Sequence, residues 1–146
     1  MPIREHLVEC IKRKRFYSSV DFLIIVQAIE CFWWRFREST YRQKKSSETK
    51  NTSLKVILEE LIIEFKDIKV LRIEELSIIN TINSRHYYSH YFDKNKKSNI
   101  VDGYDLYKLN RKLRILLICC TLSLMDFTSP EINDIITNCN NSIISK

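Results

Sequence analysis

The chain is almost without glycine: one in 146 residues, beside two prolines and a single alanine, Ala28. Folds that need many tight turns, or backbone amides laid against phosphate, consume glycine. A P-loop, a Rossmann fingerprint, a hairpin-rich barrel and a propeller are therefore excluded. No CxxC pair occurs among the five cysteines (Cys10, Cys31, Cys119, Cys120 and Cys139). They sit in apolar stretches such as Leu116-Leu117-Ile118 and are expected to be buried and reduced, which favours a cytoplasmic setting. The longest apolar run, Ile115 to Met125, has eleven residues, too few to span a bilayer. Arg4-Glu5-His6 stands where a secretory signal would place apolar residues, and no membrane partner is expected.

What is present describes a globular protein: 45% hydrophobic and 29% charged residues in a length suited to one domain, 1–146. The net charge is +6, and its excess lies in two blocks. Residues 1–50 hold eleven Lys/Arg against six Asp/Glu, and residues 85–114 hold eight against three; the segments between and after are mildly acidic. Should the blocks meet in the fold they would attract phosphate; charge alone suits a solvated basic face equally well.

With little alanine, periodicity must carry the secondary-structure assignment. Phe22, Ile25, Val26, Ile29, Trp33 and Phe36 form a helical stripe, and Leu23, Gln27, Glu30, Trp34 and Arg37 form a second, mixed line on the same helix. Arg42 to Thr52 reads as a loop. Leu54 to Phe65 gives another helix, and a third runs from about Ile73 to Tyr91 with Leu76, Ile79, Ile82 and Asn83 on one side. Asp93 to Gly103 is a charged connection. Leu106, Leu109, Leu113, Leu116, Leu117, Cys120 and Leu124 then trace a long helix, basic on its outer face. Ser129-Pro130-Glu131 signals the start of a short final helix with Ser129 as cap. The fold class is all-α: an antiparallel bundle of four to five helices over 19–140, preceded by a basic helix or arm over 1–18.

Arg85-His86-Tyr87-Tyr88-Ser89-His90 stands apart, holding two of the three histidines. Arg85 and His90 fall about 140° apart on an ideal helix, so both line one groove only if the helix bends or the groove lies between two helices. A histidine can move a proton from a ribose 2′-hydroxyl or onto a leaving oxygen, and an arginine can hold phosphate oxygens as charge builds. Cap and surface roles for these residues stay open. No cofactor or metal is expected, since His86 and His90 have no HExxH pattern and no nearby Cys or His to complete a ligand set.

The Arg85–His90 hexapeptide matches the R-x4-H motif of HEPN domains. With Phe22 to Glu30, Gly103 to Leu109 and Phe127 to Ile132, in order and spacing, the chain resembles the HEPN domain found at the C-terminus of ApeA-like anti-phage proteins, over roughly 22–136. The resemblance implies a helical bundle that forms a homodimer, its two R-x4-H segments facing one another as a composite endoribonuclease site. Arg85 and His90 would be the catalytic pair and His86 an assisting polar group. Cleavage in the family is metal-independent, by 2′-hydroxyl attack, in toxic effectors that halt growth during phage infection. Position 92 holds Phe where some toxin relatives carry the tyrosine that receives AMP. Larger ApeA-like proteins also carry a β-rich N-terminal region. Phe92 speaks against silencing by AMP attachment; an antitoxin acting otherwise, or an additional N-terminal sensor domain, is the regulatory partner that the resemblance leaves open.

Glu30 is a tentative member of the site, able to reach across the bundle to Arg85 or a histidine. RNA is the expected partner, with Lys94, Lys96, Lys97, Lys108 and Arg111 as its contacts. Trp33 and Trp34 read as core and interface aromatics. Two other roles remain open on the sequence: a catalytically silent HEPN module for RNA or nucleotide binding, oligomerisation and sensing, and a basic helical adaptor.

Overall fold

The computed structural model describes residues 19–44, 52–72, 76–90 and 98–144; the expected N-terminal helix or arm lies outside them. Within them the regular structure is entirely helical: α1 (Ser19–Phe36), α2 (Glu38–Lys44), α3 (Leu54–Glu64), a 3-10 turn (Lys69–Leu71), α4 (Ile78–His90), α5 (Gly103–Ser123) and α6 (Ser129–Ile144). The all-α bundle expected from periodicity is the fold.

The core is built on α1 and α5, which share the most extensive interface. α1 contributes Phe22, Ile25, Val26, Ile29, Phe32 and Trp33, and α5 contributes Leu106, Leu109, Leu113, Leu116, Leu117 and Cys120. Full burial of each such side chain stabilises by about 1.5–3 kcal/mol. Phe36, expected in the α1 stripe, is exposed at the helix end, and Phe32 fills the core position one turn earlier. Phe22 packs edge-to-face on Tyr88, and Tyr88 meets Val101 just before α5. At the other end Arg37 reaches Ser123. So α4 runs against both α1 and α5, and those two run in the same direction.

Arg37 closes that far end. Its Nε and Nη2 donate to both carboxylate oxygens of Glu64 at 2.8–3.2 Å, and Nη2 donates to Ser123 Oγ at 3.0 Å. The guanidinium also lies 5.0 Å from the Phe32 ring centroid. One side chain thus ties α1, α3 and α5 together. The hydrogen bonds to Glu64 raise the Arg37 pKa above its ordinary value, against the opposing effect of partial burial.

Several local expectations change. Arg42 to Lys44 belong to α2 and not to a loop. α4 begins at Ile78, five residues later than periodicity placed it. Ser77 caps it, its Oγ accepting from Asn80 N (3.3 Å) and its carbonyl from Thr81 N and Oγ1 (3.1 and 2.9 Å). The buried face of α4 is Thr81, Ser84 and Tyr88, whereas Ile79 is 54% exposed and Ile82 and Asn83 are half-buried. The polar residues face inward because Ser77 and Val101 satisfy their hydroxyls.

The last helix has sixteen residues and starts with a capping box one residue earlier than expected. Thr128 N and Oγ1 donate to Glu131 Oε2 at 2.8 and 2.7 Å, and its carbonyl accepts from Ile132 N. These bonds hold the Glu131 pKa below its ordinary value. Of the described cysteines, Cys119 and Cys120 are buried as expected, but Cys31 and Cys139 are exposed because their helix positions turn them outward. Burial pushes the Cys119 thiol up to about 12 and raises Cys120 as well, so both stay protonated and unreactive near neutral pH.

Candidate active site on α4

α4 remains helical through His90, so Arg85 and His90 keep their separation of about 140° and do not converge within one chain. Arg85 faces α1, its Nη2 lying 3.6 Å from Glu30 Oε2. This ion pair is loose, with Arg85 42% and Glu30 23% exposed. His90 is exposed, and its ring meets that of His86 edge-to-face with 5.0 Å between centroids. Of the four expected catalytic-site residues, the fold therefore brings together Glu30 with Arg85 and His86 with His90.

Their neighbours on α4 do the anchoring. Tyr88 Oη donates to Val101 O at 2.8 Å, and Ser84 Oγ accepts from Val101 N at 3.0 Å. Asn83 Nδ2 donates to Ser98 O at 2.9 Å. α4 is thereby stitched to the strip of chain entering α5, with Arg85 and His86 half-buried and His90 exposed. Sequence reasoning missed Ser84 and read Asn83 only as part of a helix face, since a polar residue's hydrogen-bond partner elsewhere in the chain leaves no periodic signal.

The segment carrying this arrangement matches a family model described as Apea-like HEPN over residues 23–131. The chain belongs to the Apea-like HEPN family. No curated protein and no solved structure matches it. The family match covers α1 from its second turn through the first turn of α6, so the R-x4-H segment and Glu30 both lie inside the HEPN domain.

Around the HEPN motif, Lys108 and Arg111 are exposed on α5. Lys108 pairs with Asp105 at 3.3 Å. Lys94, Lys96 and Lys97 lie outside the described residues. Because Phe22 packs on Tyr88, the start of α1 and the end of α4 share one end of the bundle. Ser19 and His90 consequently stand at the same end. Arg35, Arg37 and Arg42, by contrast, stand at the opposite end. A groove of about 410 Å³ also lies at that opposite end, lined by Trp33, Tyr41, Glu60, Ile63 and the Arg37–Glu64 pair. It contains none of the expected site residues.

Among the described residues no three His, Cys, Asp or Glu gather as a metal site would, and no helix is long and apolar enough to cross a membrane. Trp33 is core and Trp34 is exposed on the α1 face.

Proposed function

We propose that this HEPN domain is a metal-independent endoribonuclease that works as a homodimer and acts as an anti-phage or toxin effector. The observation that carries the reading is an arginine held loosely by a carboxylate, on the same helix as a pair of touching histidines of which His90 is exposed. A guanidinium left 42% exposed beside Glu30 keeps donors available for phosphate oxygens while its own direction is set. Glu30 is then a positioning residue for Arg85.

A second copy answers the angular separation of Arg85 and His90. Ile79, His86 and His90 recur at spacings of seven and four, forming one line on α4 with Ile79 and His90 exposed and His86 half-buried between them. Two such lines facing across a two-fold axis would bring two Arg85 and two His90 around one phosphate. In the reaction, the 2′-oxygen forms a bond to phosphorus as the bond from phosphorus to the 5′-oxygen breaks. One His90 accepts the 2′-hydroxyl proton and the His90 of the other copy donates a proton to the leaving 5′-oxygen, leaving a 2′,3′-cyclic phosphate. Arg85 balances charge on the non-bridging oxygens.

The test is RNA cleavage in EDTA by the wild-type chain beside His90→Ala, with end-group analysis. Cyclic phosphate ends made by wild type alone are the expected result. No EDTA-resistant cleavage, or equal cleavage by both proteins, would leave a silent RNA-binding or oligomerisation module as the better description. Light scattering checks the dimer, and a strictly monomeric mass at micromolar concentration removes the composite site. In a bacterial host, growth arrest on expression is expected to be relieved by Arg85→Ala and by His90→Ala.

A further inference from the structure

The first turns of α5 carry an aromatic and basic cluster that the catalytic reading does not use. Tyr104 is 68% exposed, more than any other large hydrophobic residue among those described. Its ring lies within 23° of parallel to that of Tyr107, with centroids 6.0 Å apart. The Lys108 ammonium sits 4.5 Å from the Tyr104 centroid. Arg111 is exposed and makes no ion pair among the described residues. Spacings of four and three place Tyr104, Lys108 and Arg111 on one line of the helix, opposite the buried Leu106, Leu109 and Leu113.

A tyrosine in water adds little to folding, yet this one is oriented from both of its neighbours on the helix. Its position follows from the anchors described above. Val101 is hydrogen-bonded through N and O to Ser84 and Tyr88, two turns of α4 that include the R-x4-H segment. Gly103 then takes φ +50°, a left-handed value, as α5 begins. The cluster therefore stands at the end of the bundle that carries His90.

We infer that Tyr104 is a base-stacking platform, with Lys108 and Arg111 receiving the flanking phosphates, and that the substrate is RNA presenting an unpaired base. Aromatic rings accept any base face-on, but only where the base is not already stacked in a helix. An A-form duplex keeps its bases inside and meets proteins through phosphates and 2′-hydroxyls, for which an exposed ring has no use. The inference rests on the ribonuclease reading and narrows its substrate to single strands and loops. A protein docking on this face would be indifferent to strandedness.

The test uses the full chain carrying His90→Ala, so that the probe stays uncut. Fluorescence anisotropy is measured with a labelled oligouridylate and with the same strand annealed to oligoadenylate. Adding Tyr104→Ala is expected to weaken oligouridylate binding by about 5-fold to 150-fold, the range of one lost base–aromatic stack, and duplex binding by less than about twofold. Tyr104→Phe keeps the ring face and is expected to stay within about twofold of the parent. An iodouridine-substituted strand is expected to photo-crosslink to the Tyr104 peptide, a measurement that needs no variant. Equal oligouridylate affinity with and without Tyr104→Ala, and crosslinks elsewhere, overturn the platform while leaving the ribonuclease reading intact. Failure of the His90→Ala parent to bind either probe, together with no cleavage by wild type, overturns both.

Discussion

Two arginine–glutamate pairs tie α1 to its neighbours, and they are built differently. Arg37 meets Glu64 through a bidentate contact at 2.8–3.2 Å, adds Ser123 and lies over Phe32. Arg85 meets Glu30 at 3.6 Å and remains 42% exposed. The first pair has used its donors within the fold and acts as a clamp. The second is aimed yet unsaturated, the state that the proposed phosphate contact requires. The groove and the tight ion pair lie at one end of the molecule, and the proposed chemistry lies at the other.

The comparison breaks if activity and stability fail to separate between the two arginines. Arg85→Ala and His90→Ala are expected to lower RNA cleavage by about 10²–10⁴-fold. Urea unfolding of either variant should move by less than about 0.5 kcal/mol, as for exposed surface positions. Arg37→Met should do the reverse. It is expected to cost about 2 kcal/mol, because it removes the bidentate partner of Glu64 and the donor to Ser123 Oγ, while cleavage per folded molecule stays at the wild-type level. In a thermal melt that loss corresponds to roughly 4–8 °C.

The carboxylates sharpen the contrast on a smaller scale. Glu64→Gln is expected to destabilise by about 1 kcal/mol, and Glu30→Gln by less than about 0.5 kcal/mol. Cleavage should show the opposite order, with Glu30→Gln lowering kcat through a less well aimed Arg85 and Glu64→Gln leaving it unchanged. The smallest effect belongs to a third closed contact, the Thr128–Glu131 box. Since the folded Glu131 pKa lies below its ordinary value near 4.5, its stabilisation is present above that value and fades as pH falls through the folded one. Thr128→Ala is expected to flatten that acid limb, measured by urea midpoints against pH.

Much of this was legible in the residues. The α1 stripe, the α3 stripe and the Leu106-to-Cys120 stripe became core faces, because apolar side chains at helical spacing have only one way to leave water together. The pairing of Glu30 with Arg85 was visible as a polar position on the second line of α1. The α4 face was misread, since Ile79 and Ile82 outweighed Thr81 and Ser84 in any count of hydrophobicity. Those two hydroxyls enter the core on the strength of partners at Ser77 and Val101, and Val101 is remote in sequence. The cap of α6 shifted by one residue because Thr128 could bond Glu131 with both its backbone and its hydroxyl. Cys31 lay within an apolar run and still faces outward, as angular position on a helix overrides the company of neighbours in sequence.

Composition and pattern by themselves determined that the chain is helical and that it lacks the glycines of a backbone phosphate cradle, and the resemblance to HEPN domains singled out Arg85 and His90. Those properties are local, set by residue chemistry and by a period of 3.6 residues. The tertiary structure decided which arginine is spent on the fold and which is left open. It also decided that Val101 seats on Ser84 and Tyr88, bringing the Tyr104 face to the His90 end. Such choices depend on hydrogen bonds and contacts between segments far apart in the chain, and no periodicity encodes them.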